Sequence, residues 1–115
     1  MREGHEVRNQ YIDLDELEYD LHTLRFLRKK LDHFAIDVFR MVVNANRLHT
    51  GLIKTRIPDY QSMRKKYDAA FITLEAQGFI DKKEDGTATP YYVTKRGQQL
   101  GTLLSEEKKM KNEVL

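Results

Sequence analysis

Residues 60–78 constrain the fold of this chain most, because they combine a regular helical pattern with a strong helix-ending residue. Apolar side chains recur at steps of three and four, so they fall on one side of a helix: Met63, Tyr67, Ala70, Phe71 and Leu74. Gly78 follows them, and glycine is the usual residue at a left-handed helix C-cap. The pattern therefore predicts an amphipathic helix over residues 61–77 with this side in the core.

The opposite side of the predicted helix carries small, polar and basic side chains. They are Gln61, Ser62, Lys65, Ala69 and Ile72, with Lys66 and Thr73 on the flank. Because the apolar stripe occupies the other side, we expect this surface to face solvent. Its composition suits contact with a flat and negatively charged partner.

A short β-hairpin is predicted directly after the helix. The residues that build it are Phe79 and Ile80, the basic pair Lys82 and Lys83, the turn 84–87 and the returning strand 91–93. The turn contains an Asp-Gly pair, which is a strong hairpin signal between two strand-like runs. A helix, a basic hairpin over residues 81–93 and a further helix follow the order of a winged helix-turn-helix.

Two motifs resemble those of winged-helix transcription regulators of the MarR and PadR type. Residues 74–80, Leu-Glu-Ala-Gln-Gly-Phe-Ile, resemble the end of the recognition helix in these proteins. Tyr91-x-Val93-Thr94-x-x-Gly97-x-x-Leu100 resembles the pattern that closes the wing and starts the next helix. The resemblance covers residues 34–104. It implies an α+β, mostly helical winged helix-turn-helix with extra N-terminal and C-terminal helices.

The N-terminal part contains a leucine pattern that needs a partner. Residues 1–10 lack periodicity and are interpreted as a flexible tail, followed by the winged-helix domain over 11–105. Asp13 and Glu16 have capping-box spacing, which predicts a helix over 13–31. Its leucines, and two of the last helix, are Leu14, Leu17, Leu21, Leu24, Leu31, Leu103 and Leu104. They either pack together within one chain or join two copies, and we predict the homodimer.

The remaining segments are interpreted from caps and apolar content. Asp32 is a candidate N-cap for a helix over 33–47, which is apolar over most of its circumference and should be central. Residues 50–57 fit two structures: a short helix, as the resemblance implies, or an irregular or extended segment, as the β-branched residues suggest. Thr94 is expected to cap the last helix, whose end over 106–115 is expected to fray.

Charge is distributed unevenly along the chain, although the net charge is only +2. Residues 54–66 carry five basic residues and one acid, Asp59, whereas residues 13–20 carry five acids and no base. A basic middle segment allows one surface to face phosphate. Asp68 argues mildly against this, because a carboxylate near phosphates is repelled unless it accepts a hydrogen bond from cytosine.

The resemblance assigns roles to individual residues in DNA binding. Gln61, Ser62, Lys65 and Ala69 lie where helix-turn-helix proteins contact base edges in the major groove. The expected phosphate contacts are Lys54, Arg56 and Lys66 on the domain, and Lys82 and Lys83 on the wing. The aromatic residues sit at core spacings, so we interpret them as packing residues, with Tyr92 the most exposed.

Other classes of function find little support in the sequence. With 115 residues the chain is one domain, no apolar run approaches the ~20 residues of a membrane span, and no signal peptide is expected. Cysteine is absent, which excludes disulfides and fits the cytoplasm. His33 and Asp37 lie one turn apart, but two ligands do not make a metal site. No catalytic motif is present, so neither an enzyme nor a cofactor is predicted.

The sequence therefore predicts a sequence-specific double-stranded DNA-binding protein, in the form of a dimeric transcriptional repressor. Two alternatives stay open. One is a DNA-binding adaptor for plasmid or phage partition or replication, and the other is a winged-helix module that binds only proteins. No residue marks a site for a small-molecule effector.

Overall fold

The computed structural model describes residues 16–84, 86 and 88–114, and this part of the chain is α+β and mostly helical. The elements in chain order are α1 (Leu21–Lys29), α2 (His33–Arg47), a 3₁₀ turn (Lys54–Arg56), α3 (Arg64–Ala76), β1 (Ile80–Lys82), β2 (Tyr91–Val93) and α4 (Lys95–Val114). This order, with the two strands forming one antiparallel hairpin, is compatible with a winged-helix shape.

Helix α2 is the central helix, as its apolar circumference predicts. Asp32 is its N-cap and accepts a hydrogen bond from the backbone N–H of Ala35 at 2.8 Å. Val38, Phe39 and Val42 are fully buried, and the helix packs against both α3 and β2. The predicted bounds, cap and central position of this helix are confirmed.

Helix α3 ends at the predicted glycine. Gly78 has a φ of 82°, the left-handed conformation that glycine adopts without steric cost. The backbone N–H of Phe79 donates to the carbonyl of Leu74, and that of Gly78 donates to the carbonyl of Glu75, each at 3.0 Å. These two bonds define a Schellman cap, which turns the chain from α3 into β1.

Strands β1 and β2 pair as a hairpin, and the segment before α3 adds a bridge to β2. Ile80 lies opposite Val93, and Lys82 lies opposite Tyr91. Leu52 exchanges two backbone hydrogen bonds with Tyr91, at 2.8 and 3.0 Å. Because the backbone of Leu52 pairs with the hairpin, residues 50–57 combine an extended bridge with a 3₁₀ turn. Of the two structures left open for them, they therefore form the irregular or extended segment.

The predicted helix over 61–77 starts three residues later than expected, at Arg64. Residues 58–63 form turns instead, and Met63 precedes the helix without a side-chain cap. Two side-chain hydrogen bonds explain the turn, because Tyr67 bonds Asp59 and Tyr60 bonds Asp68. Residues eight apart in a straight helix are about 12 Å apart along its axis, so the chain folds back to form these bonds.

The predicted N-terminal helix over 13–31 is shorter in the structure. Helix α1 starts at Leu21, and its N-cap is Asp20, which accepts from the backbone N–H of Thr23 at 2.7 Å. Asp13 and Leu14 lie outside the described residues. Residues 17–20 are not helical, because the side-chain amide of Gln99 binds both the N–H and the carbonyl of Tyr19, at 2.9 and 2.8 Å.

Most of the leucines of this pattern pack within one chain, so the prediction that they form a dimer contact is revised. Four of the leucines belong to the same buried core: Leu24, Leu31, Leu103 and Leu104. Leu17 is half-buried, and Leu21 is 53% exposed. Helix α4 continues to Val114, through the segment that was expected to fray, and Arg28 of α1 donates two hydrogen bonds to Glu107 of α4, at 3.0 and 3.1 Å.

Arg96 joins three parts of the fold, a role that sequence reasoning missed. Its side chain is only 6% exposed and donates to the carbonyls of Gly78 at 2.9 Å and Leu17 at 3.2 Å. Thr94 caps α4 as predicted, since its hydroxyl accepts from the N–H of Gly97 at 3.0 Å while donating to the carbonyl of Gly78. The end of α3, the start of α4 and the N-terminal segment are therefore fixed together.

Candidate nucleic-acid interface

The outward side of α3 is open to solvent over its whole length. Lys65, Ala69, Ile72 and Ala76 are all exposed, and their steps of four, three and four place them in one line along the helix. The opposite side is buried through Tyr67, Ala70, Phe71 and Leu74. The predicted division of this helix into a core side and an exposed side is confirmed. We call the line formed by residues 65, 69, 72 and 76 the outward stripe.

The turn in front of α3 is held by two tyrosine–aspartate hydrogen bonds. The hydroxyl of Tyr67 donates to Oδ1 of Asp59 at 2.6 Å, and the hydroxyl of Tyr60 donates to Oδ1 of Asp68 at 2.8 Å. Both tyrosines are buried, so the bonds fix the turn against α3. Gln61 and Ser62 are exposed on this turn, next to the first residues of the helix.

Asp68, the carboxylate that argued mildly against a phosphate-facing surface, is paired with neighbouring side chains. Hydrogen bonds from Tyr60 and then from Lys54 hold the pKa of Asp68 below its ordinary value. The ammonium of Lys54 lies 3.0 Å from Oδ1 of Asp68, and Nε of Arg64 lies 3.9 Å from Oδ2. The negative charge that argued against a phosphate-facing surface is therefore neutralised by neighbouring side chains.

The role predicted for Lys54, a phosphate contact, is also revised because Lys54 pairs with Asp68. Partial burial favours its neutral form, but the hydrogen bond to Asp68 and the charge interactions with Tyr91, Asp68 and Tyr60 together outweigh burial, and the pKa of Lys54 is raised. Its ammonium is engaged by Asp68 in a partly exposed ion pair. Lys54 is therefore removed from the expected phosphate contacts, although it still neutralises the negative charge of Asp68.

The second carboxylate on α3 is also paired. Glu75 lies 3.7 Å from the ammonium of Lys82 on the hairpin. Asp68 and Glu75 sit on the same flank of α3, and each is matched by a lysine from a neighbouring element. Lys82 thus faces α3, so it is less available to DNA than its position on the wing suggested.

The other basic candidates are exposed. Within the described part of the chain, no carboxylate lies within 4.0 Å of the charged groups of Arg56, Lys65, Lys66 or Lys83. The ammonium of Lys66 lies 5.1 Å from the ring centre of Phe34, and that of Lys83 lies 5.2 Å from the ring centre of Tyr92. These aromatic contacts orient two lysines without neutralising their charge.

Other kinds of site are less well supported by the geometry. Tyr60, Tyr67, Phe71, Phe79 and Tyr91 are buried, so the packing interpretation holds for them, and Tyr92 is half-buried. Among the described residues, no group of three metal-ligating side chains is found. In the same part of the chain, none of the helices combines the length and the apolar content that crossing a bilayer requires.

No family model, no curated protein and no solved structure matches the chain. The resemblance to winged-helix regulators therefore stays a prediction from two sequence motifs. The function of this chain is accordingly inferred from the geometry of α3, the turn before it and the hairpin.

The Tyr67–Asp59 bond predicts a loss of stability at alkaline pH. The hydrogen bond to Asp59, with burial, raises the pKa of Tyr67 to about 12 from its ordinary ~10. Below pH 10 the contribution of Tyr67 to the free energy of unfolding is constant, because its hydroxyl is protonated in both the folded and the unfolded state. Between about pH 10 and 12 only the unfolded state releases this proton, so the free energy of unfolding should fall.

Urea denaturation between about pH 8 and 12 measures this effect. Tyr67→Phe should lower stability by about 1 kcal/mol near neutral pH, because it removes one hydrogen bond. It should also lose stability less steeply above pH 10 than the unmodified chain. Parallel curves for the two proteins would show that Tyr67 does not cause the alkaline loss.

Proposed function

We propose that this protein binds double-stranded DNA sequence-specifically as a winged helix-turn-helix, with α3 in the major groove and the 80–93 hairpin as the wing. One observation carries the proposal. The outward stripe of α3 is open to solvent, and the two carboxylates of that helix are paired with Lys54 and Lys82. An exposed helix side without unpaired negative charge suits a polyanionic groove.

The dimensions fit. A helix with its side chains is about 10–12 Å wide, and the major groove of B-form DNA is about 12 Å wide. In this arrangement Gln61, Ser62, Lys65 and Ala69 approach base edges at the start of the helix. Arg56 and Lys66 contact phosphates beside the groove, and Lys83 reaches the flanking backbone from the hairpin.

A second part of the proposal concerns assembly and role. We propose a homodimer that binds a near-palindrome with half-sites about 34 Å apart. Its contact would use α1 and the end of α4, which carry the exposed apolar side chains Leu21, Phe26 and Met110. The role of transcriptional repressor, through occupancy of an operator, rests on the resemblance to winged-helix regulators.

Selection of bound sequences from random duplex DNA tests the main proposal. The selected duplex is then titrated by fluorescence anisotropy between about 50 and 200 mM salt, where phosphate contacts make the affinity fall with salt. A consensus sequence with salt-dependent binding is the expected result. The absence of salt-dependent binding would contradict it and favour the protein-interaction module.

Two further readouts separate the remaining alternatives. Cooperative coating of long DNA, in place of a discrete complex, would favour the partition or replication adaptor. Light scattering after size exclusion measures the subunit number. A monomer both alone and on DNA would refute the homodimer while leaving DNA binding intact.

A further inference from the structure

We infer that the outward stripe of α3 selects thymine by contact with its 5-methyl group, through Ile72 and Ala69. The inference rests on the proposed function and extends it to the bases that are read. Among the four bases, only thymine presents a methyl group in the major groove, and apolar side chains are its natural contacts.

Ile72 is the residue that requires an explanation. It is 66% exposed in the middle of α3, while every apolar neighbour on the other side of the helix is buried. The core is complete without it, because Tyr67, Phe71 and Leu74 already fill the side that packs on α2. A large β-branched side chain at this position therefore contributes little to folding and is available for contact.

The surroundings of Ile72 favour an apolar contact within a negatively charged groove. Ala69 and Ala76 extend the apolar surface along the stripe on both sides of Ile72, and Lys65 lies at its N-terminal end. Asp68 and Glu75 lie on one flank, each neutralised by a lysine, and the exposed Lys66 lies on the other flank. An apolar strip with positive charge at Lys65 and Lys66 and neutralised carboxylates on its other flank complements thymine methyl groups bordered by phosphates.

The helix geometry also predicts where the thymine lies. Ile72 follows Lys65 by seven residues, which is about 10 Å along the helix axis. Base pairs follow one another at about 3.4 Å along each strand. When α3 lies along the groove, the thymine contacted by Ile72 is expected about three base pairs from the base contacted by Lys65.

Deoxyuridine substitution tests the inference, because uracil differs from thymine only by the missing methyl group. Each thymine of the selected duplex is replaced in turn, and affinity is measured by anisotropy for the unmodified chain and for Ile72→Ala. At one or two positions the unmodified chain should bind about three- to fivefold more weakly. Ile72→Ala should lose this dependence at the thymine that Ile72 contacts, as a double-mutant cycle requires for a direct contact, and keep it at a thymine that Ala69 contacts.

Leu48→Ala is the matched control, since Leu48 is also an exposed apolar residue, at the end of α2, and belongs neither to the outward stripe nor to the proposed dimer contact. This variant should keep the full response to deoxyuridine. Salt-dependent binding that is indifferent to every thymine methyl would overturn the inference and leave the proposed function standing. If Ile72→Ala retains the deoxyuridine response at every sensitive position, the inference is likewise overturned and the proposed function stands, because Ile72 then serves something other than DNA, such as a protein partner. The absence of any bound duplex would refute both.

Discussion

Replacing Gly97 by alanine is expected to destabilise the fold by about 3 kcal/mol, the upper range for added volume in a packed site. A Cβ atom at this position would lie 2.1 Å from the carbonyl oxygen of Phe79 and 2.6 Å from Cγ1 of Val93. A backbone oxygen cannot rotate away as a side chain can. The first turn of α4 would therefore have to move away from the hairpin, which disturbs the core around Phe79.

Gly101→Ala is the control for this prediction. Gly101 lies one turn further along the same helix, and a Cβ atom there meets nothing within 4 Å. Alanine is the better helix former, so this variant should be stabilised by about 0.5–1 kcal/mol. Urea denaturation followed by circular dichroism measures both changes. Equal effects in the two variants would show that α4 does not lie this close to the hairpin.

Lys65→Ala and Lys83→Ala are expected to weaken DNA binding in two different ways. Lys65 lies on the outward stripe, so its loss should lower affinity for the selected sequence by about tenfold and leave random DNA nearly unaffected. Lys83 lies on the hairpin, so its loss should weaken binding to all DNA similarly. It should also reduce the salt slope by about one, because one phosphate contact is lost.

The control for these variants is Arg40→Ala, which removes an exposed basic residue on α2, outside α3, the hairpin and the proposed dimer contact. It should bind both kinds of DNA like the unmodified chain. Affinities for the selected duplex and for random duplex DNA, each measured at several salt concentrations, distinguish the two effects. Unchanged binding by both Lys65→Ala and Lys83→Ala would refute the assignment of this surface to DNA.

Features that depend on neighbouring residues were predicted correctly. Asp32, Thr94 and Gly78 act at helix ends, where a cap bonds backbone groups within a few residues of itself. The prediction of the buried side and the exposed side of α3 was also correct, because helical spacing alone decides which side chains share a side. The candidate surface around Lys65 and Ala69 could therefore be predicted from the sequence.

Errors arose where residues distant in sequence compete with local signals. The leucines of residues 13–31 match a continuous helix, yet Gln99 and Arg96 bind the backbone before Leu21. Helix α3 starts at Arg64, later than predicted, because Tyr60 and Tyr67 form hydrogen bonds with aspartates eight residues away. Asp68 and Lys54 appeared as two independent charges, although they form one ion pair.

The sequence by itself determined the order of helices and hairpin, the helix caps and the side of α3 that faces solvent. These follow from periodicity and from hydrogen bonds between near neighbours, which a linear pattern contains. Only the tertiary structure decided which charges are neutralised, which leucines are covered and where the turn before α3 folds back. Such outcomes depend on distances between side chains that are far apart in the chain, and no spacing in the sequence encodes those distances.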